Sequence, residues 1–245
     1  MDIFFPGLHH PADAKNFDTA FLSINSIRGR KKPIVCPKVV IDSGAFVELE
    51  KYGGYRHEVW EYALEIYRLW IEGVVRSIAV VAQDYMCEPF MLAKTGFDVL
   101  THQYLTVERY IHLVQALTTL FGGPPPFHIL PVLQGFHPEE YVFHLKLYQN
   151  LLPPNSWVGV GSVCKRQGKP QAIVDVLSAI KSVRPDLRLH GFGVKLTSLK
   201  NSIVRSLLYS ADSMAWSYAA RKQGRNQNDW KEAETFVQKI KELVA

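Results

Sequence analysis

Cysteine is scarce in this chain: Cys36, Cys87 and Cys164 stand alone among 245 residues, and no two of them form a Cys-x-x-Cys pair. An odd, scattered set supports neither a disulfide framework nor the usual structural zinc site, so a reducing, cytoplasmic setting and no bound metal are expected. Long apolar runs are missing too, and nothing approaches the ~18 residues that a membrane span needs. The opening Met1-Asp2-Ile3-Phe4-Phe5-Pro6 lacks the positive start and long apolar region of a secretory signal, so export is not expected. No internal repeat, low-complexity tract or long linker divides the sequence, which reads as one domain over residues 1–245. Charge of one sign is only mildly in excess: 28 Lys and Arg against 23 Asp and Glu give +5, compatible with a polyanionic partner without requiring one.

What is present is an alternation of short apolar segments with helical periodicity. Ile3 to Pro6, Phe21 to Ile24, Val39 to Asp42 and Ser77 to Asp84 read as strands, as do His128 to Leu133, Trp157 to Val160, Leu189 to Val194 and the segment carrying Asp212. Between them, His57 to Val74 repeats apolar residues at spacings of three and four, and helices are expected over Val107 to Phe121, Ala172 to Val183, Ser198 to Leu208 and Asp229 to Val244. Pro138, just after His137, starts a further helix in the turn where its missing N–H does no harm. Eight strands alternating with helices predict an α/β fold, a (β/α)8 barrel in preference to an open doubly wound sheet.

In such a barrel the strands' C-terminal ends carry the chemistry. This reading places Asp42, Gln83, Asp84, Gln134, Ser162, Lys195 and Asp212 there, with Gly44, Gly135, Gly159 and Gly161 leaving room for a flat ligand. It also assigns three basic loops to the same face: Arg28-Gly29-Arg30-Lys31-Lys32, Lys165-Arg166-Gln167-Gly168-Lys169 and Arg221-Lys222-Gln223-Gly224-Arg225. Cations around an acidic pocket fit a phosphate backbone at its mouth. Each feature has a plainer explanation. A strand-end Asp often caps the next helix; a basic run is often a solvated loop; Lys195 would serve equally well in an ion pair; Cys87 and Cys164 read as packed thiols.

With those residues in view, the chain resembles the transglycosylases that exchange guanine for a 7-deazaguanine, specifically their DNA-modifying branch, deazapurine DNA-modification protein A. The resemblance rests on Asp42-Ser43-Gly44-Ala45-Phe46, Gln83-Asp84-Tyr85-Met86-Cys87-Glu88-Pro89, Pro131-Val132-Leu133-Gln134-Gly135, Val158 to Arg166, His190-Gly191-Phe192-Gly193-Val194-Lys195 and Ser210 to Ser217. It implies a barrel, Asp212 as nucleophile, Asp42 as general acid/base, Asp84, Gln134 and the Gly161 backbone reading the guanine edge, and Phe46 stacking near the base; Ser43, Gln83 and Ser162 belong to the same motifs. It implies DNA and a 7-deazaguanine base as substrates and admits a helper ATPase or other modification-system proteins as partners. The tRNA enzymes of the group carry a zinc site downstream of the nucleophile, whereas no cysteine follows Cys164 here.

The residue types agree with that chemistry. Replacing a base with retention at C1′ takes two displacements, hence one carboxylate to attack and another to carry the proton. Three other readings stay open: RNA modification like that of the tRNA-guanine transglycosylases, a Schiff-base lyase or aldolase using Lys195, and a nucleic-acid-binding barrel without catalysis, which three acidic strand ends at a phosphate-binding mouth disfavour.

Overall fold

The computed structural model describes residues 1–163, 166 and 169–244; Cys164 and, in the second basic loop, Lys165, Gln167 and Gly168 lie outside the described residues. Nine strands are assigned among them: β1 (Ile3–Pro6), β2 (Thr19–Ser23), β3 (Lys38–Asp42), β4 (Ser77–Val81), β5 (His128–Leu130), β6 (Val132–Leu133), β7 (Trp157–Val160), β8 (Arg188–Gly191) and β9 (Ser210–Ser213). They form two parallel sheets, ordered β1-β9-β8-β7-β6 and β2-β3-β4-β5. The expected strand His128 to Leu133 is thus cut in two at Pro131, which has no N–H to give a neighbour. The carbonyl of Pro131 still accepts from Gly159 N at 2.8 Å, so β7 reaches the chain between β5 and β6. At the other seam Gly7 bridges Phe21 in parallel.

Helices connect most of the strands, and their starts are written in short-range chemistry. Val59–Ile71 begins at a capping box in which the Glu58 N–H donates to Glu61 Oε2 at 2.9 Å, and it buries Tyr62, Ala63, Ile66 and Leu69 along one stripe. The long helix Val99–Phe121 starts eight residues earlier than its apolar pattern predicts, where Asp98 accepts from Thr101 N at 2.8 Å. Its early inward face is polar, with His102, Gln103 and Thr106 all buried. A short helix, Pro89–Thr95, follows Glu88, and the expected helix Ser198 to Leu208 is two short ones, Leu196–Leu199 and Ser202–Leu207.

Two apolar clusters lie between the sheets and their covering helices. A third draws on both sheets at once, joining Phe5, Phe21, Val40, Ala79, Val81, Leu130 and Val132 with Trp157 and Phe192 packed against it. Beside the Gly7–Phe21 bridge Trp216 is buried and donates from Nε1 to the Gly7 carbonyl at 2.9 Å. Trp216→Ala removes both the packing and that bond and is expected to cost about 3–5 kcal/mol in urea unfolding, whereas Trp60→Ala should change stability by less than about 0.5 kcal/mol, since Trp60 is exposed.

Candidate active site

Strand ends from both sheets line one cavity of about 490 Å³. Asp42 is the last residue of β3, Asp84 follows β4, Gln134 follows β6, Gly161 and Ser162 follow β7, Phe192 and Gly193 follow β8, and Asp212 sits in β9; all border it, together with Phe46 at its mouth. The three carboxylates therefore share one pocket.

Each is held differently. Asp42 Oδ2 accepts from Gly44 N at 3.0 Å in a turn where Gly44 has φ 76° and begins the helix Ala45–Tyr52. A side chain at Gly44 would meet both that left-handed backbone and Asn25 Nδ2 at 2.5 Å. Asp84 accepts from Gln134 Nε2 in a very short contact and from Ser43 Oγ at 3.4 Å. Asp212 Oδ1 accepts from Gly193 N at 3.0 Å and lies 3.3 Å from His190 Nε2. Behind it, Trp157 Nε1 donates to Ser210 Oγ at 2.8 Å and Ser210 Oγ lies 2.9 Å from His190 Nδ1. An order that satisfies every group has Ser210 donating to Nδ1 and the Nε2–H pointing at Asp212. His190 is fully buried among Phe5, Phe21, Trp157 and Phe192.

The wall carrying Asp84 and Gln134 is hydrogen-bonded from behind. Gln134 N donates to His144 Nδ1 at 2.8 Å, and burial pushes that imidazole down to about 3, so it stays neutral and able to accept. Gln103 Nε2 donates to the Gln134 carbonyl at 2.8 Å, Thr106 Oγ1 accepts from Tyr85 N at 2.9 Å and His102 Nδ1 meets the Met86 carbonyl at 2.7 Å. The buried polar face of Val99–Phe121 thus fixes the loops that carry Asp84 and Gln134. Ser162 Oγ sits 2.8 Å from Gln134 Oε1 and 2.9 Å from Glu88 Oε2.

Several residues expected at the site stand elsewhere. Gln83 points away from the cavity, bonded to the His57 carbonyl and to Arg109, because successive residues of an extended chain face opposite sides and Asp84 takes the inner one. Ser43 lies behind the wall and supports Asp84. The Gly161 N–H goes to the Leu133 carbonyl at 2.9 Å, so this glycine serves by its lack of a side chain: a Cβ there would meet Gln134 Nε2 at 2.1 Å. Arg28, Arg30, Lys31 and Lys32 do not border the cavity. Their loop is pinned to the flank by Gly29 N on Glu65 and by Arg68 on the Arg30 carbonyl, and Ile34 N then bonds Val74, just before β4 starts. Arg166 is spent on the Phe136 carbonyl and ring, Lys169 is exposed at the start of Pro170–Val183, and Lys165 lies outside the described residues. Lys195 is not in the lining either; its ammonium stands 5.8 Å from the centre of the Tyr218 ring. Burial raises the Cys87 thiol well above its ordinary value, which leaves it a packed group.

Compared with known protein families, residues 4–230 match the family described as DeoxyPurine in DNA protein A, DpdA. The chain belongs to the DpdA family. A search of curated proteins returned no match. Membership makes the chain an enzyme of DNA modification with DNA as its substrate, and the matched residues contain every side chain that lines the cavity. No helix among the described residues is long and apolar enough to cross a membrane.

The electrostatics of the pocket are set by burial and by the closeness of its carboxyl groups. Burial, reinforced by the Asp84 and Asp212 charges, pushes the Asp42 carboxyl up to about 7. Burial also pushes Asp84 up to about 7, with the Glu88 charge adding to it and the Gln134 bond opposing. A carboxyl raised on folding keeps its proton between about 4 and about 7, where the unfolded chain has released it, so stability falls as pH rises through that window. Asp42→Asn is therefore expected to melt higher than the unaltered protein at pH 8, with the gap closing as pH falls toward 4. A melting difference that does not vary with pH would mean that the Asp42 proton is not linked to folding.

Proposed function

We propose that this pocket exchanges guanine in DNA for a 7-deazaguanine base, such as 7-cyano-7-deazaguanine, through a glycosyl-aspartate on Asp212. The observation that carries the reading is the meeting of Asp42, Asp84 and Asp212 with Gln134 on one cavity. A fold-level inference goes with it: the two sheets close into one eight-stranded (β/α)8 barrel in a single domain, β5 and β6 being one strand interrupted at Pro131. The Gly7–Phe21 bridge, the Gly159–Pro131 bond and the core shared by both sheets support it.

The steps follow from where each group is tied. Oδ1 of Asp212 is engaged by Gly193 and His190, so Oδ2 attacks C1′ as the bond from C1′ to guanine N9 breaks. Asp42, which holds a proton up to about 7, gives it to the departing guanine. The incoming base then loses its N9 proton to Asp42 and attacks C1′, breaking the ester to Asp212 and restoring the original configuration. A group that must be an acid in one half-reaction and a base in the next works best when it titrates near the operating pH. Asp84 and Gln134, now bonded to each other, would trade that bond for the guanine edge: N1–H and the exocyclic amine on the carboxylate, O6 on the amide. Phe46 would stack at the mouth. The target base must leave the helix stack to enter, at a cost of a few kcal/mol.

His190 acts as a positioning residue, aiming Asp212 through its Nε2–H. The Schiff-base alternative loses its support from Lys195, which stands outside the lining. We further propose that the exchange needs no zinc, since the three cysteines include no pair; one tightly held zinc per chain, with activity lost on its removal, would overturn that.

The testing experiment incubates the protein with duplex or single-stranded DNA, or with tRNA, plus 7-cyano-7-deazaguanine, then identifies the nucleosides by mass spectrometry. The deazaguanine should appear in DNA; its appearance in tRNA alone would reassign the substrate. Asp42→Asn should slow the exchange by about 100- to 10,000-fold. His190→Phe, which keeps the ring volume but not the N–H, should lower kcat by about 10- to 100-fold with little change in KM, and His190→Gln should recover part of it. Gly161→Ala should act through Gln134, raising KM for both bases.

A further inference from the structure

The cavity lining contains no Lys or Arg, while its three carboxylates repel phosphate, so a DNA strand that delivers a base here must be held from the rim. Most arginines near this face are already engaged. Arg56 pairs with Glu48, Arg109 with Glu58 and Gln83, Arg166 with the Phe136 carbonyl, and Arg225 with Glu232.

Another group of cations is gathered on an exposed aromatic ring. Tyr218, on the helix Ala215–Lys222, is 49% exposed, and three cations gather on its ring: Arg221 at 5.4 Å, Lys222 at 5.6 Å and Lys195 at 5.8 Å from the centre. Arg221 and Lys222 make no ion pair among the described residues. The group borders the Asp212 side of the mouth. Ser217, one residue before Tyr218, lies 2.8 Å from His9, a lining residue, and Lys195 comes two residues after Gly193, whose N–H holds Asp212.

Resting on the guanine-exchange reading, we propose that Tyr218 is the stacking platform for a nucleotide flanking the exchanged guanine, with Lys195, Arg221 and Lys222 taking the adjoining phosphates. An exposed ring stacks any base, whatever its identity, and a base can reach it only when unstacked from its own neighbours, so the surface selects single-stranded or locally opened DNA. The cations supply the salt-dependent part of the affinity and the ring the salt-independent part.

The test is fluorescence anisotropy with a guanine-containing single-stranded oligonucleotide, using the full chain carrying Asp212→Asn so that no exchange occurs. Adding Tyr218→Ala should weaken binding about tenfold with an unchanged salt slope, and Tyr218→Phe should restore it. Adding Lys195→Gln, Arg221→Gln and Lys222→Gln together should flatten the slope of log affinity against log salt by roughly two. Arg30→Gln, Lys31→Gln and Lys32→Gln, on the flank, should change neither. Unaltered binding by the Tyr218→Ala and triple-rim variants, or an equal loss from the flank variant, would overturn the proposal. Because binding is read without turnover, a failure of the exchange chemistry itself would show separately, as DNA that binds at the rim yet gains no deazaguanine.

Discussion

Carboxylates that share a buried cavity repel each other and lose hydration, and each needs donors that water would otherwise supply. Much of the architecture around Asp42, Asp84 and Asp212 answers that demand. Asp42 is met by the Gly44 amide at a helix start, Asp84 by Gln134 and Ser43, and Asp212 by Gly193 and a buried histidine. Their surroundings are unequal, and in the proposed exchange that inequality would divide the work. Asp42 keeps a proton up to about 7, as a proton carrier should, while Asp212 has one oxygen tied and its orientation fixed from behind. On the proposed mechanism, similar carboxyl groups would acquire different duties from their surroundings.

Holding them there requires rigid strand ends, and the stiffening comes from outside the pocket. The polar inward face of Val99–Phe121 fastens the segments after β4 and β6, and Trp157 and Ser210 order the imidazole that meets Asp212. These are buried polar networks with partners on both sides, which specify one arrangement more strictly than apolar packing does.

Strand positions were legible in the sequence because they rest on short apolar runs: β1 and β7 match their expected bounds, and the acids Asp42 and Asp212 fall on strands as expected. Helical periodicity failed where a helix buries polar groups, which is why Val99 to Thr106 escaped notice despite the capping Asp98. Sidedness was legible in principle, since the two-residue period that turns Asp84 inward turns Gln83 outward. His190 lies in the motif His190-Gly191-Phe192-Gly193-Val194-Lys195, yet its contact with Asp212 is ordered by Ser210 and Trp157, and no spacing in the chain brings those together. The first basic loop, Arg28 to Lys32, misled most: charge is visible in sequence, but only tertiary bonds such as Gly29 to Glu65 tell a flank from a mouth.

The central claim is that Asp212 makes the covalent bond to the sugar. The direct measurement is to stop the reaction with guanine-containing DNA under denaturing conditions, isolate any protein–DNA adduct and map the modified peptide by mass spectrometry, for the unaltered protein and for Asp212→Asn and Asp42→Asn. The account predicts an adduct on the peptide bearing Asp212, formed more slowly in Asp42→Asn and absent in Asp212→Asn although that variant still binds DNA. An adduct on Asp42, or one that persists in Asp212→Asn, would contradict it.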